Sequence, residues 1–268
     1  MNGKKTGLEP VRRAIFAARE RGEVEVRVTW EGGDAARLVK EAVNEGCQRL
    51  VAGGGDGSVN EIVNAMMQLP AGERPELAVL PLGTANDFAT ACGISAEPLE
   101  ALVLALSGDA RLVDCAKAND NYFMNVASGG FGAQVTTNTP VALKNFLGGG
   151  AYTLSGLVQA LNFKPFPGKV KLPGDEIAGE VIVGAVCNGR QAGGGQQLAP
   201  GALIDDGLLD VVGLNHFPAE AVSDVIAELI DEEPDLKVCG VADNASDALQ
   251  SVASQAPDIA IVDLSLQG

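Results

Sequence analysis

A cluster of glycines with polar residues behind it is the strongest chemical signal in the sequence. It reads GGGDGSVNE at residues 53–61, follows a short apolar strand and opens a helix. Glycines let a backbone approach an anion closely, and the first N–H groups of a helix favour phosphate. No Gly-Lys-Ser/Thr follows, and Ser58 stands where a dinucleotide fingerprint has its third glycine, so both of those motifs are excluded. The pattern favours a phosphate loop over its alternative, an ordinary tight turn.

A second loop of similar character follows another apolar strand. It reads PLGTANDFA at residues 81–89. Thr84 can cap the next helix, with Asp87 three residues on as a variant of the capping box. A capping box does not explain Gly83 and Asn86. Because the carboxyl ends of parallel strands meet at one edge of a sheet, we expect the two loops to line one crevice.

The elements that must position these loops alternate between strand and helix over the first ~115 residues, as in a parallel α/β sheet. The predicted strands are Val24–Thr29, Arg49–Ala52 and Leu77–Leu80. The predicted helices are Asp34–Glu45 (with Asp34 as its N-cap), Val59–Met67 and Pro98–Leu106. Residues 120–217 instead hold short strand-like runs between glycine-rich turns, and they predict a mostly β second domain. These runs are Tyr122–Ala127, Glu180–Val186 and Leu208–Leu214.

Composition and charge exclude several classes of protein. The 268 residues are 46% hydrophobic, enough for a packed core. The formal net charge of −16 makes nucleic acid a poor partner. No apolar run is long enough to span a membrane, and five scattered cysteines without a Cys-x-x-Cys pair indicate reduced thiols, so we expect a cytoplasmic protein. The single histidine, His216, excludes a mechanism that needs two imidazoles and is predicted to be a surface residue.

Together, the two loops resemble the paired signature of the diacylglycerol kinase catalytic domain, and the chain looks closest to the YegS-type bacterial lipid kinases. Three further stretches support the resemblance: VRVTWEGGDAARLV at 26–39, MNVASGGFGAQVTTNTP at 124–140 and NGRQAGGGQQLAPGALIDDGLLDV at 188–211. The resemblance covers residues 2–215. The glycine loop alone would also fit other kinases, whereas GTANDF and RQAGGGQQL point to the lipid kinases.

The resemblance implies an ATP-dependent kinase of lipid hydroxyls with two domains. Residues 1–118 would form the nucleotide-binding α/β domain, and residues 119–220 an incomplete, sandwich-like β domain. The residues that would contact ATP are Thr29, Gly55, Asp56, Gly57, Ser58, Val59, Asn60, Glu61 and Thr84. Taken by itself, Thr29 is equally well a threonine at the end of a strand. The expected partners are ATP and a lipid at a membrane surface, contacted peripherally.

A third motif, LIDDGLLD at residues 203–210, contains the Asp-Gly pair of a hairpin turn. The resemblance adds a cation, Mg²⁺ or possibly Ca²⁺, held by the Asp206 carboxylate and the backbone carbonyls of Leu203 and Leu208. Oxygen ligands suit both ions. Because this motif lies in the second domain, we expect a structural metal rather than a catalytic one.

The chain departs from the family pattern at both ends. It begins at MNGKKTG, where the family has an apolar strand, so the first strand is expected to be missing or stunted. No Asp-Gly-Glu follows Asp210, although the family carries its catalytic base in that motif, and the catalytic residue therefore stays unassigned. Residues 221–268 instead resemble a truncated βα fragment of a response-regulator receiver domain, with Asp263 at the phosphoacceptor position. Because the receiver's first strand and acidic pair are absent, we expect no role for Asp263.

These observations favour a lipid kinase that is impaired in this chain. Three alternatives stay open. The first is a kinase of a soluble small molecule that shares the glycine loop, which RQAGGGQQL argues against. The second is a nucleotide-binding signalling module with a receiver-like tail. The third is a composite of two gene fragments with no function as a unit.

Overall fold

The computed structural model describes Met1 and residues 7–130, 165–172, 174–215, 237–242 and 244–258. It has an N-terminal α/β part built on a parallel strand pair and, later in the chain, an antiparallel β sheet. The predicted fold class is therefore confirmed for these two parts. Asp263 and His216 lie outside the described residues, and the receiver-like tail stays a prediction.

The N-terminal part places helices on both faces of two parallel strands. β1 (Arg49–Gly54) pairs with β2 (Glu76–Pro81) over the full length of both strands. The helices are α1 (Glu9–Arg19), α2 (Asp34–Asn44), α3 (Asp56–Met67), α4 (Asp87–Ala91) and α5 (Pro98–Ser107). Leu80 and Leu82 pack with α1 and α5, while Val79 packs with α3 and α4. Alternate residues of β2 thus serve two separate cores, as the period of a strand requires.

The second part is organised around one long strand. β7 (Asp175–Cys187) pairs antiparallel with three other strands, β5 (Val126–Gly130), β6 (Phe166–Leu172) and β10 (Asp210–Asn215). Two small ribbons complete the described strands: β3 (Ala116–Ala118) with β4 (Asn121–Phe123), and β8 (Gln191–Ala192) with β9 (Gln196–Gln197). Cys187 is fully buried, as expected of a core residue, and burial raises the pKa of its thiol.

Most predicted elements occur, with shifted ends. The helix predicted from Val59 begins three residues earlier, at Asp56, and the strand predicted over Tyr122–Ala127 is divided into β4 and β5. The turn at Asp206–Gly207 does not join a hairpin, because β10 pairs with β7 instead of with the residues before the turn. Two further elements, α1 and β6, were not predicted from the sequence. In the tail, α6 (Ala245–Gln255) is capped by the Asn244 side chain.

The segment Val24–Thr29, predicted as a strand, forms no regular strand beyond a single bridge at Thr29. Its valines are half-buried and alternate with exposed residues, so the alternation between an inner and an outer face that a strand would have is present. A cavity of about 780 Å³ separates this segment from β1, and Met1 lines it. The Thr29 N–H donates to the Met1 carbonyl at 3.1 Å, and the Met1 amino group donates to the Arg27 carbonyl at 2.8 Å. A regular strand needs such contacts along its whole length, and among the described residues Met1 supplies the two that this segment has.

Asp34 does not act as the predicted N-cap, because α2 begins at Asp34 itself and Gly33 occupies the cap position. The Asp34 carboxylate instead accepts from the N–H groups of Trp30 and Glu31, at 2.8 and 3.2 Å, and from Arg37 at 2.8 Å. These contacts, the one from Trp30 foremost, lower the pKa of Asp34 to about 2. The carboxylate therefore holds the turn that precedes the helix.

Side-chain hydrogen bonds join the two parts of the chain. The Asn64 amide on α3 pairs with both backbone groups of Tyr122, donating to its carbonyl at 2.9 Å and accepting from its N–H at 2.7 Å. The Asp114 N–H donates to the Ile204 carbonyl at 2.7 Å, and its carboxylate accepts from the Gly207 N–H at 2.7 Å. The boundaries at residues 118 and 220 stay predictions. Among the described residues, no helix has the length and apolar character needed to cross a membrane.

Candidate functional site

The two glycine loops meet backbone to backbone at the carboxyl end of the parallel strands. The Leu82 N–H donates to the Gly54 carbonyl at 2.9 Å, which carries the pairing of β1 and β2 into the loops. A Cβ atom added to Gly55 would lie 2.9 Å from the Cα atom of Gly83, and one added to Gly83 would lie 2.5 Å from the Cα atom of Gly55. Any side chain at either position would force the loops apart. The predicted meeting of the loops is therefore observed, and close approach explains both glycines.

Asn86 closes the second loop. Its side-chain oxygen accepts from the Gly83 N–H at 2.8 Å, and its side-chain nitrogen donates to the Gly83 carbonyl at 3.0 Å. The residue has a φ of 54°, in the left-handed region that asparagine tolerates better than most residues. The predicted capping box is wrong, because Thr84 is exposed and α4 begins at Asp87 with Asn86 as its cap residue.

The cap of α4 comes from the first loop. The Asp56 carboxylate accepts from the N–H groups of Asp87 and Phe88, at 3.3 and 3.1 Å. Asp56 is also the first residue of α3, so its negative charge lies at the positive ends of two helices. This contact could not be predicted from local sequence patterns, because Asp56 and Asp87 are 31 residues apart.

The start of α3, unlike that of α4, is open. Gly55 provides no side-chain cap, and the first helical hydrogen bond runs from the Val59 N–H to the Gly55 carbonyl. In the described part of the chain, the N–H groups of Asp56, Gly57 and Ser58 have no acceptor. Gly57 is exposed, and a Cβ atom there would meet nothing within 4 Å. The start of α3 can therefore receive an anion.

The structure places the other predicted site residues around the same edge. Thr84 directly follows Gly83. The half-buried Thr29 donates its N–H to the Met1 carbonyl, and Met1 in turn lies next to Gly53, where an added Cβ atom would be 3.2 Å from Met1. Ser58 is half-buried, Asn60 and Glu61 are exposed on α3, and Val59 is buried in the core. The Val59 side chain thus faces away from the edge.

Family models match both parts of the chain. The diacylglycerol kinase catalytic domain matches residues 1–118, and the YegS C-terminal NAD kinase beta sandwich-like domain matches residues 125–232. A probable YegS-like lipid kinase from Shewanella frigidimarina is 51% identical over 241 residues, covering 89% of this chain and 78% of the relative. Another, from Chromohalobacter salexigens, is 50% identical over 241 residues, covering 90% and 76%. The chain belongs to the YegS-like lipid kinases of the diacylglycerol kinase family.

Solved structures of this family have the same fold. A putative diacylglycerol kinase from Bacillus anthracis superposes with a TM-score of 0.65 at 27% identity, covering 85% of this chain and 74% of that one. A second structure of a putative diacylglycerol kinase from this organism gives a TM-score of 0.66 at 30% identity, covering 86% and 74%. The resemblance inferred from the two glycine loops is thus confirmed.

The loop at residues 203–208 contains the three oxygen atoms that the resemblance predicts as ligands of a hard cation. Asp206 accepts from the Leu208 N–H through one oxygen at 3.0 Å, which leaves the other oxygen for a metal. In the described residues, the carbonyls of Leu203 and Leu208 accept no hydrogen bond. Gly207 has a φ of 74°, and its N–H is held by Asp114. The donors are all oxygen, which fits Mg²⁺ or Ca²⁺.

Asp56→Asn is expected to lower the free energy of unfolding by about 1 kcal/mol, the usual value of a helix cap. The amide retains one oxygen and turns an NH₂ group toward backbone donors, so at least one of the two bonds to α4 is lost. Urea unfolding measures the change. Glu61→Gln is the matched control, because Glu61 is exposed on the same helix. Equal stability of the two variants would show that Asp56 does not cap α4.

Proposed function

We propose that this chain binds ATP, with the phosphates at the start of α3 and the nucleotide lying across the two glycine loops. The observation that carries the proposal is the contrast between two neighbouring helix ends. Asp56 already satisfies the first N–H groups of α4, whereas those of α3 are open beside the exposed Gly57. Family membership supports ATP as the nucleotide.

The reaction we propose is transfer of the γ-phosphoryl group to a lipid hydroxyl. Related proteins are named as probable lipid kinases, and structural neighbours as diacylglycerol kinases. Phosphoryl transfer depends on positioning and on neutralising the phosphate charge, which Mg²⁺ supplies when bound with ATP. The paired loops would hold the phosphates through backbone N–H groups. Asp56, whose carboxylate already caps α4, would shape the loop, while Asn60 and Glu61 lie one turn further along α3.

We also propose that transfer by this chain is impaired. The sequence has no Asp-Gly-Glu after Asp210, and the family's catalytic base lies in such a motif. A signalling role of the tail stays an alternative, because Asp263 lies outside the described residues, to which the tail contributes α6 and residues 237–242. Peripheral contact with a lipid surface and a cytoplasmic location remain predictions.

Gly57→Leu tests the nucleotide site. A side chain at this position has free space in the protein, so the variant is expected to fold and yet to fill the place of the phosphates. Losing charge-assisted hydrogen bonds should weaken ATP binding at least about tenfold. Calorimetric titration measures the change, and Gly72→Leu is the control, because Gly72 also has open space around it. If both variants bind ATP equally well, the start of α3 is not the phosphate site. Gly55→Val is unsuitable, since it would collide with Gly83.

The proposed impairment predicts that this chain phosphorylates lipid about 10²–10⁴-fold more slowly than a chimera carrying a kinase-type C-terminus with the Asp-Gly-Glu motif, which is the usual contribution of a general base. The C-terminal segment of the Shewanella relative is a suitable donor. Radiolabelled phosphate in extracted lipid measures the rate, and ATP binding by both proteins serves as the control. Equal turnover would place the base within residues 1–217.

Asp206→Asn tests the metal. An ion that binds only the folded state raises the melting temperature of the protein. The parent protein should therefore melt at a higher temperature in Mg²⁺ or Ca²⁺ than in the presence of a chelator. The variant should lose that gain while keeping the turn, because an amide oxygen can still accept from Leu208. Asp205→Asn, a change in the neighbouring acid, should keep the gain. Identical responses of the two variants to the ions would mean that the loop is only a turn.

A further inference from the structure

Asp87 makes contacts to both parts of the chain. It is only 3% exposed. Its carboxylate accepts from the N–H groups of Gly194 and Gly195, both at 3.0 Å, and from the Gln191 side chain at 3.2 Å. Both oxygens are thus occupied by donors that lie more than 100 residues along the chain.

The donors form a small anion-binding turn. Gly193, Gly194 and Gly195 have φ values of 68°, 94° and 104°, all in the left-handed region that favours glycine. Consecutive residues in such conformations can point successive N–H groups at one anion. Here the anion is the Asp87 carboxylate, and this contact gives the three glycines of the RQAGGGQQL motif a physical reason.

The backbone of Asp87 leads to the nucleotide loop. Its N–H donates to the carboxylate of Asp56, which directly follows Gly55 and begins α3. One residue therefore joins the proposed phosphate site to the glycine turn of the second part, with a hydrogen bond on each side.

We propose that Asp87 is a positioning residue that couples nucleotide binding at the start of α3 to the order of the glycine turn at residues 193–195. The inference rests on the proposed ATP site. Asp87 itself is buried, and both of its carboxylate oxygens accept from donors of the protein. Such a link matters for a transfer between two substrates, because small errors of placement cost large factors in rate.

Amide hydrogen exchange, with and without ATP, tests the coupling without requiring turnover. Two regions report separately: residues 54–66 on the nucleotide side and residues 190–198 around the glycine turn. Asp87→Asn replaces one acceptor oxygen by an NH₂ group, so about tenfold faster exchange is expected at 190–198 before ATP is added. ATP should protect residues 54–66 in parent and variant alike, but it should protect residues 190–198 in the parent only.

Thr90→Ala is the matched control. Thr90 is exposed on the same short helix, and among the described residues its side chain bonds only to the Asn86 carbonyl, so this variant should behave as the parent does. If Asp87→Asn fails to fold, Gln191→Met removes one of the three donors, and a smaller change in the same direction is expected.

The outcomes separate the two proposals. Protection of residues 190–198 by ATP that persists in Asp87→Asn would overturn the coupling and leave the ATP site standing. A parent protein in which ATP protects nothing at residues 54–66 would overturn the proposed function, and the coupling with it. In that case the experiment without ATP still decides whether Asp87 holds the glycine turn, because equal exchange in variant and parent would exclude that contact.

Discussion

The close approach of Gly55 and Gly83 is the constraint on which the rest of the site depends. A Cβ atom on either residue would lie within 3 Å of the backbone of the other loop, so the two loops can approach this closely only if both residues are glycine. That position brings Asp56 within reach of the first N–H groups of α4. Once Asp56 has closed α4, the start of α3 is the end that remains available to an anion. The site therefore follows from a steric fit first and from electrostatics second.

Several aspartates of this acidic chain organise the backbone of loops and helix ends. Asp34, Asp56 and Asp114 each accept from N–H groups, and in the case of Asp56 and Asp114 these belong to another segment of the chain. A carboxylate bond to a backbone donor is charge-assisted and stronger than a neutral one. It also fixes a loop without the entropy cost of ordering a long basic side chain. This use of acids explains how a protein with a net charge of −16 can build tight loops around the proposed phosphate site.

Periodicity and loop composition could predict the helices, the parallel strands and the meeting of the two loops, since each of these depends on residues close in sequence. Contacts between distant segments could not be predicted in the same way. Thr84 and Asp87 have the spacing of a capping box, yet the cap of α4 comes from Asp56, because the fold brings that carboxylate closer than the local hydroxyl. Val24–Thr29 alternates as a strand does, yet a strand also needs a partner beside it, and alternation does not supply one. For the site residues, the sequence could indicate the loop but could not distinguish the buried Val59 from the exposed Gly57.

Binding and transfer place different demands on such a chain. The contacts that shape the proposed nucleotide site, from Gly54 to Phe88, come from two βα units of the first part and depend on backbone pairing over a short stretch of sequence. Phosphoryl transfer requires in addition that the second part be held in a fixed position relative to those loops. Among the described residues, side-chain bonds from Asn64, Asp87, Asp114 and Asn188 cross between the parts, and all but the one from Gln191 to Asp87 are made to backbone groups. Backbone partners do not depend on the identity of the side chain opposite, so the bonds of Asn64 and Asp114 tolerate substitutions in the second part, whereas those of Asp87 need the glycine turn at residues 193–195. A chain of this family can for that reason keep its nucleotide loops in place while the sequence of its second part varies.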